Sequence, residues 1–405
     1  MRRVVITGIG IYSCIGQSAD EVSNSLRSGR SGIGIEEMRI AYGYRSPLTG
    51  ILPQPQLRGV LDRRQRVRLP QEGEYAYIST KQAFEDAGMD EQYRRDNEIG
   101  VFFGNDSSAK AVIESHETVV REKDTTLLGA SSLFQSMTST VTMNLSTIFS
   151  LRGVNITVSA ACASGSHSVG LAATFIRQGM QDIVVCGGAQ EVNHLSMVSF
   201  DGLGAFSLRT DNPQGASRPF DASRDGLVPS GGSATLILEE YEHAKRRGAK
   251  IYAEVLGYGF SSNGGKISEP SVEGASLAMK RAIADAALSA SDIGYVNAHA
   301  TSTRLGDATE ALAIKQVFGR DSVPVTSTKS MTGHECWMSG ASEVLYSILM
   351  MKGGFIAPNI NFEKPDSDTE GLNIVSRPTD KKMEVCLSNA FGFGGTNSAL
   401  VLKNL

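Results

Sequence analysis

The chain has 405 residues, 41% of them hydrophobic and 20% charged, with 43 glycines and 12 prolines. At roughly 100–200 residues per domain, that length suggests two or three structural units or one large layered fold, with ample core and no need of disulfides or metals. Thirty-nine Lys+Arg against 43 Asp+Glu leave a net charge of −4, which argues against a global electrostatic hold on nucleic acid. No run approaches the ~20 apolar residues of a membrane helix. Five scattered cysteines (Cys14, Cys162, Cys186, Cys336, Cys386) without a CxxC point to reduced thiols in a cytoplasmic protein.

In chain order, short β-rich apolar runs alternate with helical patterns. Arg3–Thr7, Ile99–Phe103, Ile156–Val158, Ile183–Cys186 and Ala234–Leu238 read as strands. Ala76–Ala87, Gly165–Gln178, Leu277–Ala287 and Ser339–Lys352 carry apolar residues at helical spacing. The alternation predicts an α/β protein with helices packed on sheets. Ser46–Gln56 and Thr210–Gly215 read as loops. Gly153–Gly188 (strand, polar turn, helix, glycine, strand) is echoed by Val323–Pro358, with Phe355-Ile356 as the closing strand. The echo suggests duplicated halves whose turns face each other, although two α/β units also look this alike by chance.

Those turns hold the chemistry. In Val158-Ser-Ala-Ala-Cys162-Ala-Ser-Gly165, small residues surround one cysteine where a strand feeds a helix. Free amides and the helix dipole there favour a thiolate, which predicts a pKa drawn from ~8.5 towards neutrality. The alternative is a core cysteine. His299 follows a strand, and His334 opens a helix after Thr328-Lys-Ser-Met-Thr-Gly. Each has small or hydroxyl neighbours suited to partnering a nucleophile, and each alone also reads as structural. His116, His167, His194 and His243 read as structural or exposed. Asn389-Ala-Phe-Gly-Phe393-Gly-Gly-Thr-Asn397 is a glycine-rich turn that can present amides to an oxyanion, or simply a tight hairpin.

Other motifs fail. Gly8-Ile-Gly10 lacks the third glycine of a dinucleotide fingerprint, and Gly259–Lys266 misses the phosphate-loop spacing. Glu191 and His194 form an ExxH half-site without a second copy, so no metal is expected.

Taken in order, from Arg3-Val-Val-Ile-Thr-Gly-Ile-Gly to Ala399-Leu-Val-Leu402 and including Ser217-Arg-Pro-Phe-Asp-Ala-Ser-Arg-Asp-Gly226, these motifs resemble the β-ketoacyl-acyl-carrier-protein synthases. Ile251-Tyr-Ala-Glu-Val-Leu-Gly-Tyr-Gly259 and the length lean towards the synthase I branch. The resemblance implies a thiolase-like, five-layer αβαβα fold in two pseudo-repeated halves, divided here as 1–245 and 246–405. It implies a homodimer and a decarboxylative condensation needing no metal or organic cofactor, with substrates carried on acyl-carrier protein. Cys162 would hold the acyl group, and the Cys162 and Phe393 amides would form the oxyanion hole. His299 and His334 would bind the malonyl thioester oxygen, and Lys329, paired with Glu343, would orient the site. Thr301 and Thr303 match pantetheine-binding positions, and Asp307 and Glu310 a structural acidic pair. Arg63, Arg64 and Arg66, with Arg121 and Lys123, fall where the family docks its acidic carrier, or form a solvated basic face.

The departures cluster after His334. Glu335-Cys-Trp-Met-Ser-Gly340 stands in place of small residues, and Trp337, the chain's only tryptophan, must displace a neighbouring helix or the dimer surface. Ala300 replaces a glycine, and Asn105-Asp-Ser-Ser108 replaces a glycine-rich run. Two substrate readings follow: fatty-acid chain elongation, or a specialised polyene or polyketide-like chain. A non-catalytic partner subunit of a heterodimer is a third reading, opposed by Cys162.

Overall fold

A computed structural model describes all 405 residues. Eleven strands join in one sheet, in the order Asn373–Ile374, Pro324–Thr326, Val296–Asn297, Val385–Gly392, Thr396–Asn404, Ala253–Ser262, Val4–Ser13, Gly232–Glu240, Ile183–Gln190, Ile99–Gly104, Asn155–Val158. Only Val5 and Ile6, opposite Glu254 and Ala253, join its two halves.

Numbered within its own half, each set of five strands runs 3-2-4-5-1, with a sixth two-residue strand added at the edge of the second. The pairings match as well. Strands 1 and 5 and strands 5 and 4 are antiparallel, and strands 4 and 2 and strands 2 and 3 are parallel, in both halves. The duplication suggested by the echo is therefore present, with one correction. Phe355–Ile356 pairs with Thr379–Asp380 outside the main sheet, and the counterpart of Ile183–Gln190 is Val385–Gly392.

Five layers follow from side-chain alternation. Ile183–Gln190 is buried on both faces: Val184 and Cys186 enter the central core, whereas Ile183 and Val185 enter an outer one. In the other half, Leu400 and Leu402 face the central core and Ala399 and Val401 the second outer one. Between the sheets lie helices Ser164–Arg177 and Ser339–Gly353, the latter buried from Ser339 to Met351. Helices Gln71–Asp86 and Val272–Asp285 cover the outer faces, and the whole is the thiolase-like arrangement.

Matching glycines seat the outer helices. A Cβ on Gly8 or Gly10 would lie 2.3 Å from Ala83 O or 1.9 Å from Ser79 O, and one on Gly257 or Gly259 would lie 2.1 Å from Ala282 O or Ala278 O. These glycines belong to strand interiors, so the first strand runs to Ser13 rather than stopping at Thr7, absorbing a register shift between Ile6 and Gly8. Ser46–Gln56 likewise is not all loop, because Leu48–Gly50 pairs with Ile33–Ile35.

Candidate active site

Cys162 lies in a single 3₁₀ turn, Ala161–Ala163, that leads into helix Ser164–Arg177. Ala161 adopts φ 47°, a left-handed conformation that a side chain tolerates only when held. Ser164 holds it: its hydroxyl accepts from Ala160 N–H at 2.8 Å and donates to Ala161 O at 2.6 Å. The hairpin of the other half packs on this elbow at Gly392, where a Cβ would come within 2.8 Å of Ala160 O. That approach brings the backbone amides of Phe393 and Cys162 near the Cys162 sulfur, where both favour the thiolate.

The imidazole of His334 completes the contact, with Nε2 3.0 Å from Cys162 Sγ and Nδ1 3.1 Å from Ser339 Oγ. Its backbone is pinned on both sides, His334 N–H donating to Val228 O at 2.7 Å and Ser230 N–H to His334 O at 2.8 Å. The His299 ring stands edge-on to it with centroids 5.4 Å apart. Glu310 fixes the His299 loop by accepting from the amides of His299 (2.9 Å) and Ala300 (2.6 Å) and from Asn389 Nδ2 (3.0 Å). Asp307 accepts from the amides of Phe220 (2.8 Å) and Ser302 (3.1 Å), tying that loop to Ser217–Gly226. Lys329 is buried and ion-paired with Glu343 on the central helix.

Electrostatics follow from burial. Both site histidines are held well below the usual histidine range, by burial first and the Lys329 ammonium second, so each ring is neutral. Burial pushes Glu343 up to about 8 and Asp307 up to about 7. The expectation of a thiol drawn towards neutrality is corrected. Cys162 is 6% exposed, and burial pushes its thiol up to about 12 against the pull of Lys329 and the two amides.

A cavity of about 230 Å³ runs from Cys162 past His299 and His334 to Thr301, Thr303 and the Ile267–Ser271 segment. Thr301 and Thr303 share a hydrogen bond of 3.1 Å on its wall. Of the two displacements expected for Trp337, that of a neighbouring helix is corrected. The side chain is buried beside Cys162, and the central helices still cross closely, because a Cβ on Gly165 would lie 2.8 Å from Ala341 N. Arg63 and Arg64 are exposed on a short helix capped by Asp62, Arg66 is half-buried, and Arg121 and Lys123 are exposed, with Arg121 paired to Glu122 at 2.6 Å. His167 binds Tyr258 OH (2.5 Å) and Thr396 Oγ1 (2.9 Å), a structural role.

Sequence reasoning missed three contributors. Ser339 partners His334, Phe200 walls the cavity, and Asp106 binds the elbow through Ser159 and the Ala161 amide. Ser339, close behind His334 at a helix start, and Asp106, inside the Asn105–Ser108 departure, left a trace in the sequence, whereas Phe200 left none.

A buried thiol backed by two amides and faced by two neutral imidazoles, in a duplicated five-layer fold, defines a thiol-dependent acyltransferase class of site. The chain belongs to the β-ketoacyl synthase family: the family's N-terminal domain matches residues 1–244 and its C-terminal domain residues 252–363. It is 41% identical over 408 residues to 3-oxoacyl-[acyl-carrier-protein] synthase 1 of Escherichia coli K12, covering 100% of both chains. A solved β-ketoacyl synthase from Burkholderia phymatum superposes with a TM-score of 0.96 at 36% identity, covering 100% of both chains. A type II polyketide synthase acyl-carrier protein in complex with its ketosynthase bound to the hexaketide gives 0.91 at 29% identity, covering 100% of this chain and 99% of that one.

Proposed function

We propose that the protein condenses an acyl thioester, carried on Cys162, with malonyl-acyl-carrier protein, releasing carbon dioxide and 3-oxoacyl-acyl-carrier protein in fatty-acid chain elongation. The observation that carries this reading is the 3.0 Å approach of His334 Nε2 to Cys162 Sγ beneath two converging amides.

In the first half-reaction the sulfur attacks the acyl carbonyl and its proton passes to neutral His334. The Cys162 and Phe393 amides hold the tetrahedral oxyanion, and the carrier's thiol leaves with the proton. Lys329 and the helix N-terminus favour the thiolate as it forms. In the second, N–H groups of His299 and His334 receive the malonyl thioester oxygen. As carbon dioxide departs, the electron pair stays on the α-carbon of an enolate stabilised by those donors. That carbon attacks the Cys162 thioester, and the thiolate is expelled. The Ser339 hydroxyl can accept from or donate to Nδ1, so the His334 ring keeps its orientation in either tautomer.

No metal or organic cofactor is needed for these steps. Thr301 and Thr303 line the path of the pantetheine arm, and Arg63, Arg64 and Arg66 offer the acidic carrier a docking face. Two copies pair through the edge strand Asn155–Val158, where Asn155 and Ile156 are exposed. The test is Cys162→Ala: circular dichroism is unchanged and condensation is abolished, and retained product formation refutes the assignment.

A further inference from the structure

The apolar side of the nucleophile is filled. Trp337, 8% exposed, shares a small core with Cys162, Met197, Phe206 and Leu227. Its indole N–H points at Ser107 Oγ, 3.4 Å away, and its ring lies 6.3 Å from Phe200. Phe200 in turn lies 6.3 Å from Phe206 at 8° and 6.3 Å from Phe393 at 22°. Those separations are within the packing range of aromatic pairs, so the rings form a wall without a slot between them. The open cavity is bounded on this side by Phe200, Ala205 and Leu227, and Trp337 lies behind Phe200 without lining it.

An acyl group on Cys162 has its oxygen directed at the two amides. The cavity on the histidine side is the way in for the malonyl unit and is lined by Thr301, Thr303 and Glu310. The remaining direction for an apolar chain is the aromatic wall. A short chain meets it without strain, whereas a long saturated chain must displace a close-packed core.

We propose that Trp337 sets the acyl length, so that the protein loads short-chain acyl thioesters and excludes long saturated ones. This rests on the condensing reading above. The step at issue is loading: the bond between Cys162 Sγ and the acyl carbon forms as the carrier's sulfur–acyl bond breaks, and the thiol proton leaves on the carrier.

The test is intact-mass kinetics of loading from four-carbon and twelve-carbon acyl-carrier proteins. Wild type should load the longer chain about 100-fold more slowly, Trp337→Ala should narrow that ratio at least tenfold, and Trp337→Phe should fall between them. Because Trp337 is the only tryptophan, its emission reports on the wall in the unaltered protein and should change when the four-carbon chain loads. Equal loading of both lengths by wild type, a ratio within threefold of wild type in a folded Trp337→Ala, or emission indifferent to loading would overturn the proposal. Absence of any adduct at either length would instead overturn the condensing reading itself.

Discussion

His299 offers a sharp test of how the two half-reactions divide among the site residues. Its ring faces the cavity, its Nδ1 has no protein partner, and its loop is held through its backbone amide by Glu310. Truncation to alanine therefore removes a donor without orphaning another buried group or freeing the loop. One oxyanion donor is worth about 2.7–4 kcal/mol, or 10²–10³ in rate. Release of labelled carbon dioxide from malonyl-carrier protein should fall by that factor in His299→Ala, and His299→Gln, which keeps an N–H donor, should recover part of it. Acyl loading onto Cys162 uses the two amides and His334, and should fall less than tenfold. Because burial and Lys329 keep both rings neutral, decarboxylation should show no histidine-dependent loss until the pH is well below 6.5. Carbon dioxide release by His299→Ala within threefold of wild type would refute the assignment of this ring to the enolate.

Three further outcomes follow from the same geometry. Ser339→Ala removes the partner of His334 Nδ1 and should lower kcat roughly tenfold while KM for the carrier-bound substrate stays put, as steady-state kinetics would show. Reversing Arg63, Arg64 and Arg66 to glutamate should raise KM for carrier-bound substrates about tenfold at low salt, with the gap closing at high salt; an unchanged KM removes them from docking. Glu72 is pushed up to about 8 by burial first and by neighbouring Glu191 second. Its proton is retained in the folded chain and lost from the unfolded one near 4.5, so its stabilising contribution disappears as pH rises towards 8. Glu72→Gln should therefore gain in Tm relative to wild type between about pH 5 and 8, and a pH-independent difference would refute that linkage.

What the sequence revealed and what it hid divide along a physical line. Cys162, His299, Lys329 and His334 were legible because each stands in a turn of small residues where a strand feeds a helix, a context with few other uses. The paired halves were visible for the same reason, since strand, turn and helix repeat in both. Three features depend instead on what arrives from elsewhere in the chain. The first strand continues through Gly8 and Gly10 because a helix some 70 residues later lies on those glycines. The counterpart of Ile183–Gln190 is Val385–Gly392 because Phe355–Ile356 pairs with Thr379–Asp380 outside the main sheet, and between them only Asn373–Ile374 adds to its edge. The thiol of Cys162 is raised because residues of both halves enclose it, and enclosure outweighs the local pull of a helix end. Trp337 belongs with these three. As a substitution on a helix it reads as a clash to be relieved outward, but the crossing at Gly165 keeps the backbone in place. The indole therefore stays inside, in the small core it shares with Cys162 and against Phe200, and the departure becomes a limit on what the nucleophile can carry.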